Sequence, residues 1–478
     1  MKSALKESGK KYTKLNVKGW HLTLLTFIIL IVPLILSGFS VKGYEPFLYE
    51  RISHIVGDDF DELSYGGRGF AYDYGNPILL NTLSFIPIKL VLLALPVLLG
   101  MLSFILFYNL LKELGVYHDI RTLSSLILII SPPFLYTFSN FNSFTAPLFL
   151  VLLGFYWFVK NKTKFYILAL LVSFLLAFFG IFNSIIFLLI LLIYCIKKKN
   201  SKLFLLFFAC NLFLLFFLNY LIIFNYSFPE HVILGSYLLK NFIFDLGGGY
   251  GISLFLLFLL FFGFDKLWEK KYKNSLFYII FLIFVGLLFI SLKAMVYFNL
   301  FLCVLAGLGF LKIWAREWES VIIRNATLFF LIAGLIFSGV SFFIEFSKVG
   351  PSDELIDALD SLKNSGTSKD VVLSHYENGF WINSFTGKRN VVDGYFSYAP
   401  NVNERLDNIN HAFSTRSTDK LLKILEKYST DYILITEDMK NGLVWHRDNE
   451  GLLFVLKNNP EYFKLFYDKD GIEIWRIL

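Results

Sequence analysis

The chain has 478 residues, of which 56% are hydrophobic and only 17% charged, where a soluble globular protein is about a quarter charged. That composition excludes an ordinary soluble enzyme. The net charge of +7 does not indicate a nucleic-acid binder either, because Lys and Arg sit in short clusters between apolar runs, as in loops that set membrane topology.

Residues 1–19 are polar and basic and are expected to form a cytoplasmic N-terminus. Trp20–Ser40 follows without a small-residue cleavage pattern and reads as a retained membrane helix. Ten further apolar runs bring the expected spans to roughly eleven. These are Phe85–Leu111, Thr122–Phe138, Ser143–Val159, Phe165–Phe179, Ile181–Ile196, Leu203–Phe224, Gly251–Phe264, Ser275–Leu292, Val296–Trp314 and Ala326–Phe346. Gly180 and Asn183 interrupt one long run, so two short helices are expected there rather than one tilted span. Cys195, Cys210 and Cys303 all fall inside apolar runs, as packing residues without disulfide or metal spacing.

Charge then orients the bundle. Alternate loops carry about 22 basic residues against about five on the other side, which places the first set in the cytoplasm. The break at Gly180 keeps the Lys197–Lys199 cluster on that side. Residues 20–346 are therefore expected to be a polytopic all-α transmembrane domain. Its large first outer loop spans 41–84, and a shorter outer loop spans Asn225–Tyr250. The tail, 347–478, is expected outside the cell membrane as a small α/β domain.

Within the tail, Ser352–Asn364 has a helix start followed by Leu355, Ile356, Leu359 and Leu362 at helical spacing. Strands are expected at Asp370–Ser374, Arg389–Asp393 and Asp431–Thr436, with an amphipathic helix at Thr418–Tyr428. Phe463–Lys469 and Ile472–Ile477 read as a hairpin turning on Asp470-Gly471.

The first outer loop carries the chemistry. Asp58, Asp59, Asp61 and Glu62 crowd into five residues, followed by Tyr65, Arg68 and Gly75-Asn76-Pro77. Like charges this close need a cation, a proton or open water. Such an acid can act as a general base toward an incoming hydroxyl or amine. Asp59 and Asp61 can instead hold a divalent cation, Mg or Mn, through carboxylate oxygens. A solvated acidic loop, with one Asp capping a helix, is the plainer alternative.

Asp61-Glu62, Tyr65, Arg68 and Gly75-Asn76-Pro77, just after the first span, resemble the first outer loop of GT-C membrane glycosyltransferases. The protein mannosyltransferase and aminoarabinose transferase branch looks most similar. In the tail, Ser374–Ile382 with Thr386-Gly387-Lys388 and Val391–Gly394 is similar to the Trp-Trp-Asp-Tyr-Gly region of oligosaccharyltransferase catalytic subunits. This chain has His-Tyr-Glu-Asn-Gly there and lacks the paired Trp and the Asp. A strand-to-helix turn using Gly379 is the plainer reading of that segment.

The resemblance implies sugar transfer from a polyprenyl-phosphate-linked donor to a protein, lipid or glycan acceptor at the outer face. By position, Asp61 would be the base and Glu62 its support. Arg68, Lys240 and Lys293 would be candidates for the donor phosphate, although snorkelling to headgroups is the plainer use of Lys240 and Lys293. Tyr376, Glu377 and Trp381 would lie on the acceptor side. Two rivals stay open: a non-enzymatic flippase or carrier of lipid-linked glycans, and a membrane scaffold. Few mid-span polar residues (Asn183, Asn211, Asn219) speak against transport.

Overall fold

The computed structural model describes residues 17–198, 205–214, 217, 242–269, 272, 275–447 and 449–478. It divides into two units. One comprises Met1–Val41, Leu83–Phe216 and Ser236–Lys348; the other comprises Lys42–Thr82, Phe217–Gly235 and Val349–Leu478. The segment expected as the first outer loop thus groups with the tail.

The first unit is helical. By length and composition, Gly19–Leu36, Ile88–Glu113, Ala294–Ala315 and the helix starting at Val321 can each cross a membrane. A fifth crossing results if His118–Ile129 and Pro132–Ser139, bent by 58°, form one span. The remaining expected runs are also helical where described, including apolar stretches at Thr145–Val159, Thr163–Phe178, Ile181–Ile196, Leu254–Trp268 and Ser275–Ile290. They are shorter than a simple crossing needs: 15 residues in Thr145–Val159 rise only about 22 Å, against about 30 Å of hydrocarbon. Eleven full spans are therefore not established, and half of Leu203–Phe224 lies outside the described residues.

The cause of the shortening is local. Ser131-Pro132-Pro133 cannot continue a helix, since proline lacks the N–H and clashes with the preceding turn. At Gly180 the backbone takes φ +103°, which only glycine adopts cheaply, so the expected break is present. Asn183 secures it by donating to the Phe179 carbonyl at 2.5 Å and accepting from the Tyr297 hydroxyl at 2.6 Å.

The second unit is built on a mixed five-stranded sheet. Its strands, in chain order after two short ones in the outer loop (β1, Phe60–Asp61; β2, Arg68–Gly69), are β3 (Val371–Leu373), β4 (Arg389–Asn390), β5 (Thr430–Ile435), β6 (Phe463–Lys469) and β7 (Ile472–Ile477). The order across the sheet is β4-β3-β5-β7-β6. β3 runs parallel to β4 and β5, and β7 runs antiparallel to β5 and β6. Side chains alternate along β5, so Tyr432 and Leu434 enter one core with the helix Asp353–Lys363, while Ile433 and Ile435 enter another with Val402–Ser414, Thr418–Lys427 and Gly451–Asn458. Asp470 and Gly471 both take positive φ, +50° and +77°, as a tight hairpin turn requires. Ser352 and Ser417 cap their helices by accepting from the amides of Leu355 and Lys420.

Because both sheet faces are covered, Leu434→Ala should cost about 2–5 kcal/mol of stability. Leu465→Ala, on a position 41% exposed, should change it by less than about 0.5 kcal/mol. Denaturant midpoints of the full-length protein would separate the two.

Candidate active site in the first outer loop

The strands β1 and β2 pair antiparallel, with Asp61 opposite Arg68. The chain turns between them through Tyr65 (φ +57°), Gly66 (+69°) and Gly67 (+124°). Tyr65 is a bulky residue in a left-handed conformation, a state that persists only when neighbours over-determine it. They do so here. Its amide donates to Asn390 Oδ1 at 2.8 Å, its hydroxyl donates to the Asp393 carbonyl at 2.8 Å, and Arg405 donates to its carbonyl at 2.9 Å. Ser64 adds a 2.6 Å bond to Asp393 Oδ2.

The crowding of four acids is resolved by separating them. Asp58, Asp59 and Glu62 are exposed, whereas Asp61 is 1% exposed. Arg51, on the helix Glu45–Ser53, grips Asp61 with both terminal nitrogens, at 2.6 and 2.8 Å. The Tyr72 hydroxyl donates to Asp61 Oδ2 at 2.6 Å, and the amides of Leu63 and Ser64 donate to Oδ1. Burial by itself would raise the Asp61 pKa. The hydrogen bonds and positive charge of Arg51 outweigh it, helped by Tyr72 and the Leu63 amide, and hold the carboxyl below the usual range.

This geometry does not fit the roles expected for Asp61. An open base needs an oxygen to accept a proton, and here both oxygens carry donors. The same saturation argues against a cation at Asp59 and Asp61. Among the described residues no group of three or more His, Cys, Asp or Glu gathers as a metal site. Arg68 is also committed. It is 2% exposed, donates to the carbonyls of Tyr395 and Ser397, and lies within 5.2–5.5 Å of the rings of Tyr65, Tyr72 and Tyr395. It holds the loop and does not offer a phosphate clamp.

The other expected residues are scattered. Lys293 is exposed and immediately precedes the helix Ala294–Ala315. Lys240 lies outside the described residues. Tyr376 packs between His375 and Phe396, Glu377 is exposed, and Trp381 Nε1 donates to the Gly43 carbonyl at 3.1 Å. Gly379 makes the expected strand-to-helix turn, because a side chain there would strike the Val392 carbonyl and Asp393. Burial lowers the His375 pKa to about 4.

A second group was not anticipated from sequence. The Tyr49 hydroxyl is pushed up by burial and further by the nearby carboxylates of Glu45 and Asp73, against a hydrogen bond from Asn76. Glu45 is half-buried and Asp73 exposed, so both reach solvent beside a buried Tyr-Asn pair. Asn76 is 3% exposed, and its Oδ1 has no hydrogen-bond partner among the described residues. Burial raises the pKa of the half-buried Tyr395, and the Asp73 charge raises it further. The only sequence signal was Glu45 and Tyr49 at i,i+4 on a helix beginning with Pro46, which is too common a pattern to single out.

Asp61→Asn should cost about 3–5 kcal/mol, because it strands a buried guanidinium. The pH dependence has a definite sign. A depressed carboxyl pKa contributes stability that is present above the unfolded value, about 3.9, and is lost as pH falls through the folded value. The unfolding midpoint of the wild type should therefore drop in that acid window, and Asp61→Asn should flatten the drop. The neutral His375 adds its own loss as pH falls from about 6.5 toward its folded value of about 4.

No family model and no curated protein matches this chain. Solved structures do. The oligosaccharyltransferase of Archaeoglobus fulgidus in its apo form superposes with a TM-score of 0.61 at 15% identity, over 96% of this chain and 74% of that one. ArnT from Cupriavidus metallidurans, bound to undecaprenyl phosphate, gives 0.51 at 10% identity, over 96% and 98%. The arabinofuranosyltransferase AftD from Mycobacteria gives 0.53 at 12%, over 96% and 41%. All three are GT-C enzymes. The described residues therefore share the GT-C fold of these three structures, with helices apolar enough to suit a membrane.

Proposed function

We propose that the protein transfers a sugar from a polyprenyl-phosphate-linked donor to an acceptor on the outer face of the membrane. The reading is carried by a likeness that runs over 96% of the chain, covering the helical unit and the α/β unit together. One of the similar structures holds undecaprenyl phosphate, another dolichol phosphate, and a third an acceptor peptide. A prenyl tail suits apolar helices, and a phosphate leaving group suits their polar ends.

In this reading an acceptor oxygen or nitrogen attacks the anomeric carbon. The bond from that carbon to the donor phosphate breaks, and the lipid phosphate leaves with the electron pair. A carboxylate takes the acceptor proton. Glu45 and Asp73 suit that task better than Asp61, since they reach solvent and flank a buried hydroxyl. Asp61 then acts as a positioning residue, fixing through Arg51 the helix that bears Glu45. Lys293 stays the candidate for the donor phosphate, acting as a point charge. Among the described residues no carboxylate cluster fits a divalent cation, and no step is assigned to one. A similar structure does contain zinc and sulfate.

The test is turnover of a polyprenyl-phosphate-linked sugar by purified full-length protein. Glu45→Gln and Asp73→Asn should each lower the rate by about 10²-fold or more with the unfolding midpoint unchanged. Asp61→Asn should lower the midpoint as well as the rate. Normal transfer by both Glu45→Gln and Asp73→Asn removes these carboxylates from the mechanism. Wild-type protein that moves lipid-linked glycan across vesicles without transferring sugar would favour the carrier reading.

A further inference from the structure

The helices Leu254–Trp268 and Ala294–Ala315 touch along their backbones. A Cβ on Gly263 would collide with the Leu305 carbonyl, and one on Gly309 with the Leu259 carbonyl. Small residues permit such close approach, which locks the pair in register. Just beyond these contacts the packing opens into a cavity of about 580 Å³, and Thr327 of the helix Val321–Lys348 also lines it.

The cavity is divided by chemistry. Part of its lining is apolar, from Phe258, Phe262, Leu308 and Leu311, and part is charged, with Lys266, Lys312 and Arg316 against one carboxylate, Asp265. Lys312 pairs with Asp265, and Lys266 pairs with Glu269 at 2.7 Å. All four side chains are partly exposed, so these pairs are weakly held and a stronger anion can share the cations. The Arg316 guanidinium is exposed and lies 5.8 Å from the Trp318 ring centre, while Trp318 Nε1 donates to the Ile313 carbonyl at 3.0 Å. A Trp fixed beside cations at the end of apolar helices marks headgroup depth.

We infer that this cavity binds an anionic phospholipid from the leaflet on the side of the lysine clusters. Its phosphate would lie on Arg316 and Lys312, and its acyl chain on Phe258 and Phe262. The commitment to a lipid follows from the two-part lining. A soluble anion needs the charged part alone, whereas a neutral lipid needs only the apolar part. Basic pockets between membrane helices select anionic headgroups for this reason. The site is separate from the outer-loop residues and does not depend on the transferase reading.

Native mass spectrometry of the full-length protein, released from bilayers containing phosphatidylglycerol and phosphatidylcholine, tests it. Wild-type protein should retain phosphatidylglycerol preferentially, and K312Q/R316Q should reduce that preference by about tenfold or more. Thr327→Trp narrows the cavity and leaves every charge in place, and it should reduce lipid retention too. An unchanged preference in either variant, or displacement of the lipid by inorganic phosphate at equal concentration, overturns the proposal.

Discussion

One buried ion pair organises the α/β unit. Arg51 and Asp61 come from different elements of the same outer loop, and their two-point contact is shielded from water. A charge buried in that way is costly wherever a bond goes unmet, and Arg51 Nε makes none among the described residues, so the carboxylate's other partners matter. Tyr72 and the Leu63 and Ser64 amides meet the remaining demand of Asp61. The pair therefore ties the helix Glu45–Ser53 to β1, and with it the orientation of Glu45 and Tyr49.

The loop is in turn part of the sheet domain. Asn390 and Asp393, at and just beyond the edge strand β4, hold Ser64 and Tyr65. Asn383 donates to the Leu63 carbonyl at 3.2 Å, and Ser384 to the Phe47 carbonyl at 3.0 Å. Residues more than 300 positions apart in sequence thus share one polar network. Arg68 contributes by filling a ring of three tyrosines and bonding two tail carbonyls. A cation so placed stiffens the loop, which is what a site held on irregular backbone requires.

Much of the fold was legible because its signals are local. Apolar runs named the helices, Gly180 named a break, and Ser352 and Asp470-Gly471 named a cap and a turn within a residue or two. The helices Val402–Ser414 and Gly451–Asn458 went unread, since their apolar residues are sparse or their length is short. The number of crossings could not follow from hydropathy alone. Whether a helix of about fifteen residues spans, tilts or pairs depends on its neighbours.

The sequence by itself determined that this is an apolar, helix-rich chain ending in an α/β domain, and that the first outer loop is its unusual segment. Those facts follow from composition, periodicity and turn chemistry, each decided within a few residues. Only the tertiary structure decided what each acid does. Asp61 and Glu62 are neighbours with similar chemistry, yet one is sealed against Arg51 and the other faces solvent. Burial and charge partners come from distant chain, so an acidic cluster in a sequence cannot reveal which carboxylate is spent on structure and which stays open to substrate.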